Sequence, residues 1–216
     1  MHIVAHRGLF NTKHGAPLPN SKEAIRAAFA AGFGVETDVR DFAGHLVISH
    51  DPPASPDYLF DEFLEDWREA GYPEFALNVK SSGLASRLVD ALAPVTADTY
   101  YAFDLAFPDL LTFTKRGLRT YTRLSDYEGE LLLLERCAGV WVDGFDRDLT
   151  SPSDLDALTQ LVATGKKICL VSPELHGRPH VDAWRAWATL SELPGVSICT
   201  DFPHDARSFF ASPAAK

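Results

Sequence analysis

Glu36-Thr37-Asp38 is the segment of this 216-residue chain with the clearest capacity for chemistry. Residues i and i+2 of a strand project to one face, so the two carboxylates point together. Side-by-side carboxylates repel unless one is protonated or a cation bridges them. A hard divalent ion such as Mg²⁺ or Ca²⁺ prefers oxygen ligands and is the natural bridge; a solvated strand face with Thr37 buried is the alternative. His6 and His50 each follow an apolar run, and histidine is the side chain best suited to exchange protons near neutral pH. Two of them could flank a scissile phosphorus, one protonating the leaving oxygen and one activating the nucleophile. Taken singly, each also suits a hydrogen-bonded core histidine. Arg7 can grip a phosphate oxygen in fork geometry, and Lys80 can add a point charge. Either can instead hold a carboxylate in place. Gly8 lets the backbone approach a ligand closely, or simply turns the chain after a strand.

The elements that must position these residues alternate along the chain. Candidate strands are Ile3–Ala5, Gly34–Val39, Leu46–Ser49, Phe75–Val79, Tyr100–Phe103, Thr120–Arg123, Gly139–Val142, Lys167–Val171 and Val196–Cys199. Candidate helices are Ser21–Ala31, Asp61–Ala70, Leu84–Ala93, Pro108–Lys115, Pro152–Thr164, Val181–Leu190 and His204–Phe210. Asn20-Ser21 and Ser151-Pro152 carry helix-start signals. Most strands lack polar alternation, as in Val-Trp-Val and Ile-Cys-Leu-Val, which fits a parallel sheet covered on both faces. Asp41–His45 reads as the turn of a hairpin. About eight βα units fit this alternation, so the expected fold is a (β/α)8 TIM barrel, a single domain over residues 1–216, with an open doubly wound sheet as second choice. Both place chemistry at the carboxyl ends of strands. Those ends carry His6, Arg7, Glu36, Asp38, His50, Asn78 and Lys80, then Asp104, Arg123, Asp143, Glu174 and Asp201. Arg7, Lys80 and Arg123 are the candidate substrate-binding residues.

Net charge is −10 with histidine neutral, which argues against a nucleic-acid partner because a phosphate backbone calls for a basic face. A small phosphate-containing substrate stays open, since a bound cation supplies local positive charge. Cys137, Cys169 and Cys199 form no CxxC pair and read as core residues in a reducing compartment. No run approaches the roughly 18 apolar residues of a membrane span. The chain enters a strand almost at once, and the expected location is the cytoplasm. The tail Ser212–Lys216 is expected to fray.

Taken together, His6-Arg7-Gly8, Pro19-Asn20-Ser21 leading into Ala24, Val35-Glu36-Thr37-Asp38-Val39 and His50-Asp51 resemble the glycerophosphodiester phosphodiesterase family, in the barrel superfamily of phosphatidylinositol-specific phospholipase C. Val79-Lys80 matches part of a further motif, and Ile198-Cys199-Thr200-Asp201-Phe202-Pro203 looks like the family's closing strand. The resemblance is dense over residues 3–51 and sparse elsewhere. It implies His6 and His50 as catalytic histidines, Glu36 and Asp38 as metal ligands, Arg7 on the phosphate, and hydrolysis of a phosphodiester to an alcohol and a phosphomonoester. Three departures stand out. The family's third-strand Glu-x-Lys reads Asn78-Val79-Lys80 here, so Asn78 replaces a charged third ligand; Asp104, with Glu174 second, is the expected compensating carboxylate. The insertion common after the His-Asp motif shrinks to Pro52–Leu59. A late segment, Leu170 to Arg178, offers Glu174, His176 and Arg178 and suggests altered leaving-group recognition. Two other outcomes fit the same residues: a phosphodiester-binding barrel without turnover, and a lyase that leaves a cyclic phosphate.

Overall fold

The computed structural model describes residues 1–10, 17–95 and 98–212. The chain divides into two compact units, Ala5–Thr120 and Met1–Val4 with Tyr121–Lys216.

In the unit Ala5–Thr120 the elements follow in the order expected. The end of β1 (His2–His6) leads to α1 (Lys22–Ala30), β2 (Gly34–Phe42), β3 (His45–Ile48) and α2 (Phe60–Glu69), then β4 (Phe75–Val79), α3 (Ala85–Leu92), β5 (Tyr100–Phe103) and α4 (Phe107–Lys115). Hydrogen bonds order these strands β1-β2-β4-β5. A parallel bridge from Ala102 to Thr120 extends the ladder past β5. The first six residues of β2 are buried, as a strand covered on both faces requires. The hairpin is tighter than the sequence suggests. Phe42 pairs with His45 in an antiparallel ladder, leaving Ala43-Gly44 as a two-residue turn with φ of 48° and 89°. That is the left-handed geometry whose twist matches flanking strands.

An aromatic core anchors the helices to this sheet. Phe63 of α2 stacks on Phe60 at 5.7 Å and meets Phe75 edge-on at 5.1 Å. Trp67 meets Phe75 at 4.5 Å, and its indole N–H donates to the Pro73 carbonyl at 2.6 Å. The buried Asp66 accepts from Tyr58 at 2.8 Å and Arg26 at 2.6 Å, so its charge is paired where α1 and α2 meet.

The other unit repeats the pattern with β6 (Tyr121–Ser125), β7 (Gly139–Asp143), α5 (Pro152–Ala163), β8 (Lys167–Val171), α6 (Val181–Trp187), β9 (Val196–Thr200) and α7 (Pro203–Ala211). Its strand order is β1-β9-β8-β7-β6, with β6 to β9 parallel. Val140, Ile168 and Ile198 pack with Leu158, Trp184 and Trp187. Ser151 caps α5 in a reciprocal pair with Asp154, and Pro152 starts the helix, as the sequence signal predicts. The helix expected over Val181–Leu190 is α-helical only to Trp187 and tightens to a 3-10 helix over Ala188–Glu192. Of the expected frayed tail, residues beyond Ser212 lie outside the described residues.

Candidate active site

The site grows from two strand ends in the unit Ala5–Thr120. After His6 the chain turns sharply through Arg7 and Gly8, with φ of 54° and 89°. The Arg7 N–H donates to the Glu36 carbonyl at 2.8 Å, and the Leu9 N–H to the Ala24 carbonyl at 2.8 Å. A Cβ on Gly8 would lie 2.6 Å from the Ala24 carbonyl carbon and 2.8 Å from the Ile25 nitrogen. Gly8 is therefore required by the backbone of α1, in keeping with the turn after a strand offered for it.

Glu36 and Asp38 share a face of β2, as the two-residue period demands. Glu36 is 2% exposed and Asp38 fully buried. The register pairs Asp38 with Asn78 of β4 and Glu36 with Ala76. In a parallel ladder paired residues face the same way, so the Asn78 amide stands beside the Asp38 carboxylate and Ala76 leaves room beside Glu36. Asn78 pairs in turn with Phe103 on β5. Asp104 is the next residue, half-buried, with a left-handed φ of 62°.

Cations surround Asp38. Arg7 Nε lies 3.1 Å from its Oδ2, offset from hydrogen-bond alignment. Lys80 Nζ lies 3.3 Å from its Oδ1. The Asn20 amide donates to Oδ2 at 2.7 Å. Glu36 has less support, with His6 Nε2 3.8 Å from its Oε2. Burial, and then the charge of Asp38, push the Glu36 carboxyl up to about 7, against the opposing pull of His6, Arg7 and Lys80.

His50 follows β3, and the hairpin returns it toward β2. The Ser49 N–H donates to the Asp38 carbonyl at 3.0 Å, and Arg40 Nε donates to the His50 carbonyl at 2.8 Å. The His50 ring lies 2.8 Å, Nδ1 to Oδ1, from Asp51. Its side chain is 42% exposed, open to a ligand.

Among the described residues of β2 and β4, three buried side-chain oxygens make no hydrogen bond: Glu36 Oε2, Asp38 Oδ1 and Asn78 Oδ1. They belong to three of the four positions expected to ligate a metal, Asp104 being the fourth. An unpaired buried acceptor is costly, and a divalent cation is the partner that satisfies two carboxylates and an amide carbonyl at once. The donor set thus fits a hard cation, with less negative charge than a three-carboxylate set. Among the described residues no three His, Cys, Asp or Glu side chains are grouped so as to hold a metal ion, so the carboxylate of Asp104 does not complete such a group with Glu36 and Asp38.

The remaining sequence candidates lie in the other unit. Arg123 forks onto Glu128 through Nε and Nη2, the latter at 2.9 Å, and lies 5.7 Å from the Phe145 ring centroid. Glu174 accepts from the Ser172 and Thr200 hydroxyls and from the Asp201 N–H at 3.1 Å. With those lone pairs engaged, it is a poor substitute ligand. His176 pairs with Asp143 at 2.6 Å, and Arg178 grips the Gly144 carbonyl at 2.6 Å and Asp148 at 2.8 Å. These side chains stitch strand ends and loops together. Asn20 and Arg40 were missed as site residues. Asn20 carried a signal only as a residue before a helix cap and as part of the matched segment, and Arg40 carried none.

No protein-family model matches the chain, and no curated protein matches it. Solved structures do. A glycerophosphodiester phosphodiesterase from Parabacteroides distasonis ATCC 8503 superposes with a TM-score of 0.69 at 16% identity, covering 99% of this chain and 98% of that one. One from Agrobacterium tumefaciens str. C58 gives 0.68 at 19% identity, covering 96% and 99%. A glycerophosphoryl diester phosphodiesterase from Parabacteroides distasonis gives 0.66 at 14% identity, covering 96% and 85%. The chain therefore has the fold of these enzymes, the (β/α)8 barrel expected from its alternating elements.

Proposed function

We propose that the chain is a metal-dependent phosphoric diester hydrolase that cleaves a glycerophosphodiester or a related small phosphodiester. The observation that carries this reading is the trio of buried oxygens without a hydrogen bond on Glu36, Asp38 and Asn78, beside two cations and His6. The shared fold is consistent with it.

Glu36, Asp38 and Asn78 would hold the cation, with Asp104, the residue after β5, as the proposed fourth ligand. Bound Mg²⁺ or Ca²⁺ would neutralise phosphate charge and polarise the phosphorus centre. Arg7 and Lys80 both face Asp38, and a metal on that carboxylate would leave their spare N–H groups to phosphate oxygens. His6 and His50 exchange the protons. One takes a proton from the attacking water as a P–O bond forms. The other gives a proton to the alkoxide oxygen as the second P–O bond breaks, releasing an alcohol and a phosphomonoester. Asp51, accepting from Nδ1 of His50, favours the tautomer that keeps the proton on Nδ1 and leaves Nε2 as the basic nitrogen. The three cysteines are buried and unbridged, which suits a reducing, cytoplasmic setting. Among the described residues no helix is long and apolar enough to cross a membrane.

The test is turnover of a chromogenic phosphodiester, first with chelator and then with Mg²⁺, Ca²⁺ or Mn²⁺. Activity that disappears with chelator and returns with one metal supports the reading. Binding of phosphodiester without product under every metal replaces it with a binding barrel, the outcome that neutral Asn78 favours. Phosphorus NMR of the products separates hydrolysis from a lyase, because only the lyase yields a cyclic phosphate.

A further inference from the structure

Asn20 joins three parts of the candidate site. Its backbone N–H donates to the Arg7 carbonyl at 2.9 Å. Its amide Nδ2 donates to Asp38 Oδ2 at 2.7 Å. Its amide Oδ1 accepts from the Thr37 hydroxyl at 2.8 Å. These contacts fix which way the amide points. A carboxylate only accepts, so the NH2 end must face Asp38, while the Thr37 hydroxyl has its proton free to give to the oxygen end. The backbone imposes a second condition. Asn20 has a φ of 61°, a left-handed conformation that asparagine tolerates and most residues resist. Thr37 and Asp38 are both fully buried, so water does not readily replace either bond.

We infer that Asn20 is a positioning residue that sets the orientation of the Asp38 carboxylate, with Thr37 selecting the end of the amide that faces it. Arg7 and Lys80 pull on Asp38 at 3.1 and 3.3 Å. Asn20 is the neutral donor on the same carboxylate, fixed to β2 through Thr37 and to the Arg7 turn through its own backbone. It engages Oδ2 and leaves Oδ1, which makes no hydrogen bond and faces only the Lys80 ammonium at 3.3 Å, as the oxygen turned to the charged side of the site. The consequence for metal binding rests on the proposed function; the orientation itself does not.

The experiment uses the full chain and three variants: Asn20→Gly, which keeps the left-handed backbone and its bond to Arg7, Asn20→Asp, which keeps the shape but loses the donor, and Thr37→Val. Two readings are taken in chelator by urea unfolding. Asn20→Gly and Thr37→Val are expected to be non-additive, by about threefold or more in the unfolding constant. Asn20→Asp is expected to be less stable than Asn20→Gly, because its acceptor faces a buried carboxylate. Additive effects, or the reverse order, overturn the inference. The third reading is calorimetric titration with Mn²⁺. Asn20→Gly is expected to bind about 10- to 100-fold more weakly than wild type, and Thr37→Val to shift the same way by less. Wild-type affinity in Asn20→Gly overturns the positioning role and leaves only a structural tie. Wild-type protein that takes up no metal sinks the proposed function instead, and the two unfolding readings then decide the inference alone.

Discussion

At the scale of single residues the argument turns on a small set of side chains. Glu36 and Asp38 were legible because period-two geometry alone puts their carboxylates on one face. Asn78 was legible through the matched motif, and the register shows why it matters: it stands beside Asp38. Asn20 was not legible as a site residue. Its role depends on a left-handed backbone and on a loop folding back to β2, neither of which is written in local spacing. If His6 and His50 exchange the protons, His6→Ala and His50→Ala each lower turnover by about 10² or more. Steady-state rates at saturating metal check this, and wild-type rates in both variants remove the histidines from the mechanism. Glu36 supplies a second prediction. With its carboxyl pushed up to about 7, a cation must displace a proton near neutral pH. Metal affinity is expected to rise with pH through that region, with proton release visible as a buffer-dependent heat in calorimetry. An affinity flat across the same range argues against Glu36 as a ligand.

At the scale of elements the alternation of strands and helices was readable, because apolar runs mark the strands and caps at Ser21 and Ser151 mark two of the helices. Its finer geometry was not. The hairpin closes through Ala43-Gly44, and α6 gives way to a 3-10 helix. The β1-to-α1 connection yields the sharpest prediction. Gly8 is caught twice, by a left-handed φ of 89° and by the α1 backbone 2.6 Å from where its Cβ would stand. Backbone cannot yield as a flexible side chain does. Gly8→Ala is expected to cost about 2–4 kcal/mol, from conformational strain together with overpacking. It should also lower activity, because α1 and the Arg7 turn must shift together. Urea unfolding measures the first effect, and a loss under about 0.5 kcal/mol contradicts this account.

At the scale of the whole molecule, charge is the property the sequence states most directly. A net charge of −10 makes the chain acidic as a whole, but it does not reveal that burial pushes one carboxyl up to about 7. The pH dependence of stability exposes that carboxyl. The Glu36 pKa rises from 4.5 to about 7 through burial first and Asp38 second. Between these values the folded protein binds a proton that the unfolded chain does not. The stability this provides is complete below about pH 4.5 and is lost as pH rises through about 7. Asp126, Glu128 and Asp154 move the other way. Backbone N–H groups of the 145–147 loop hold Asp126 down against its desolvation, Arg123 does so for Glu128, and Arg147 for Asp154. Their contribution is complete above their ordinary values of 3.8 to 4.5, so it does not vary where Glu36 titrates. In chelator, the wild-type urea midpoint is therefore expected to fall from pH 5 to pH 8. Glu36→Gln, which cannot ionise, should flatten that fall. Saturating metal should reverse it in the wild type, because a cation prefers the ionised carboxylate and binds the folded chain selectively. Parallel wild-type and Glu36→Gln profiles in chelator would show that Glu36 is ionised in the folded protein across this range, and the cations around Asp38 would then have to stabilise both carboxylates together.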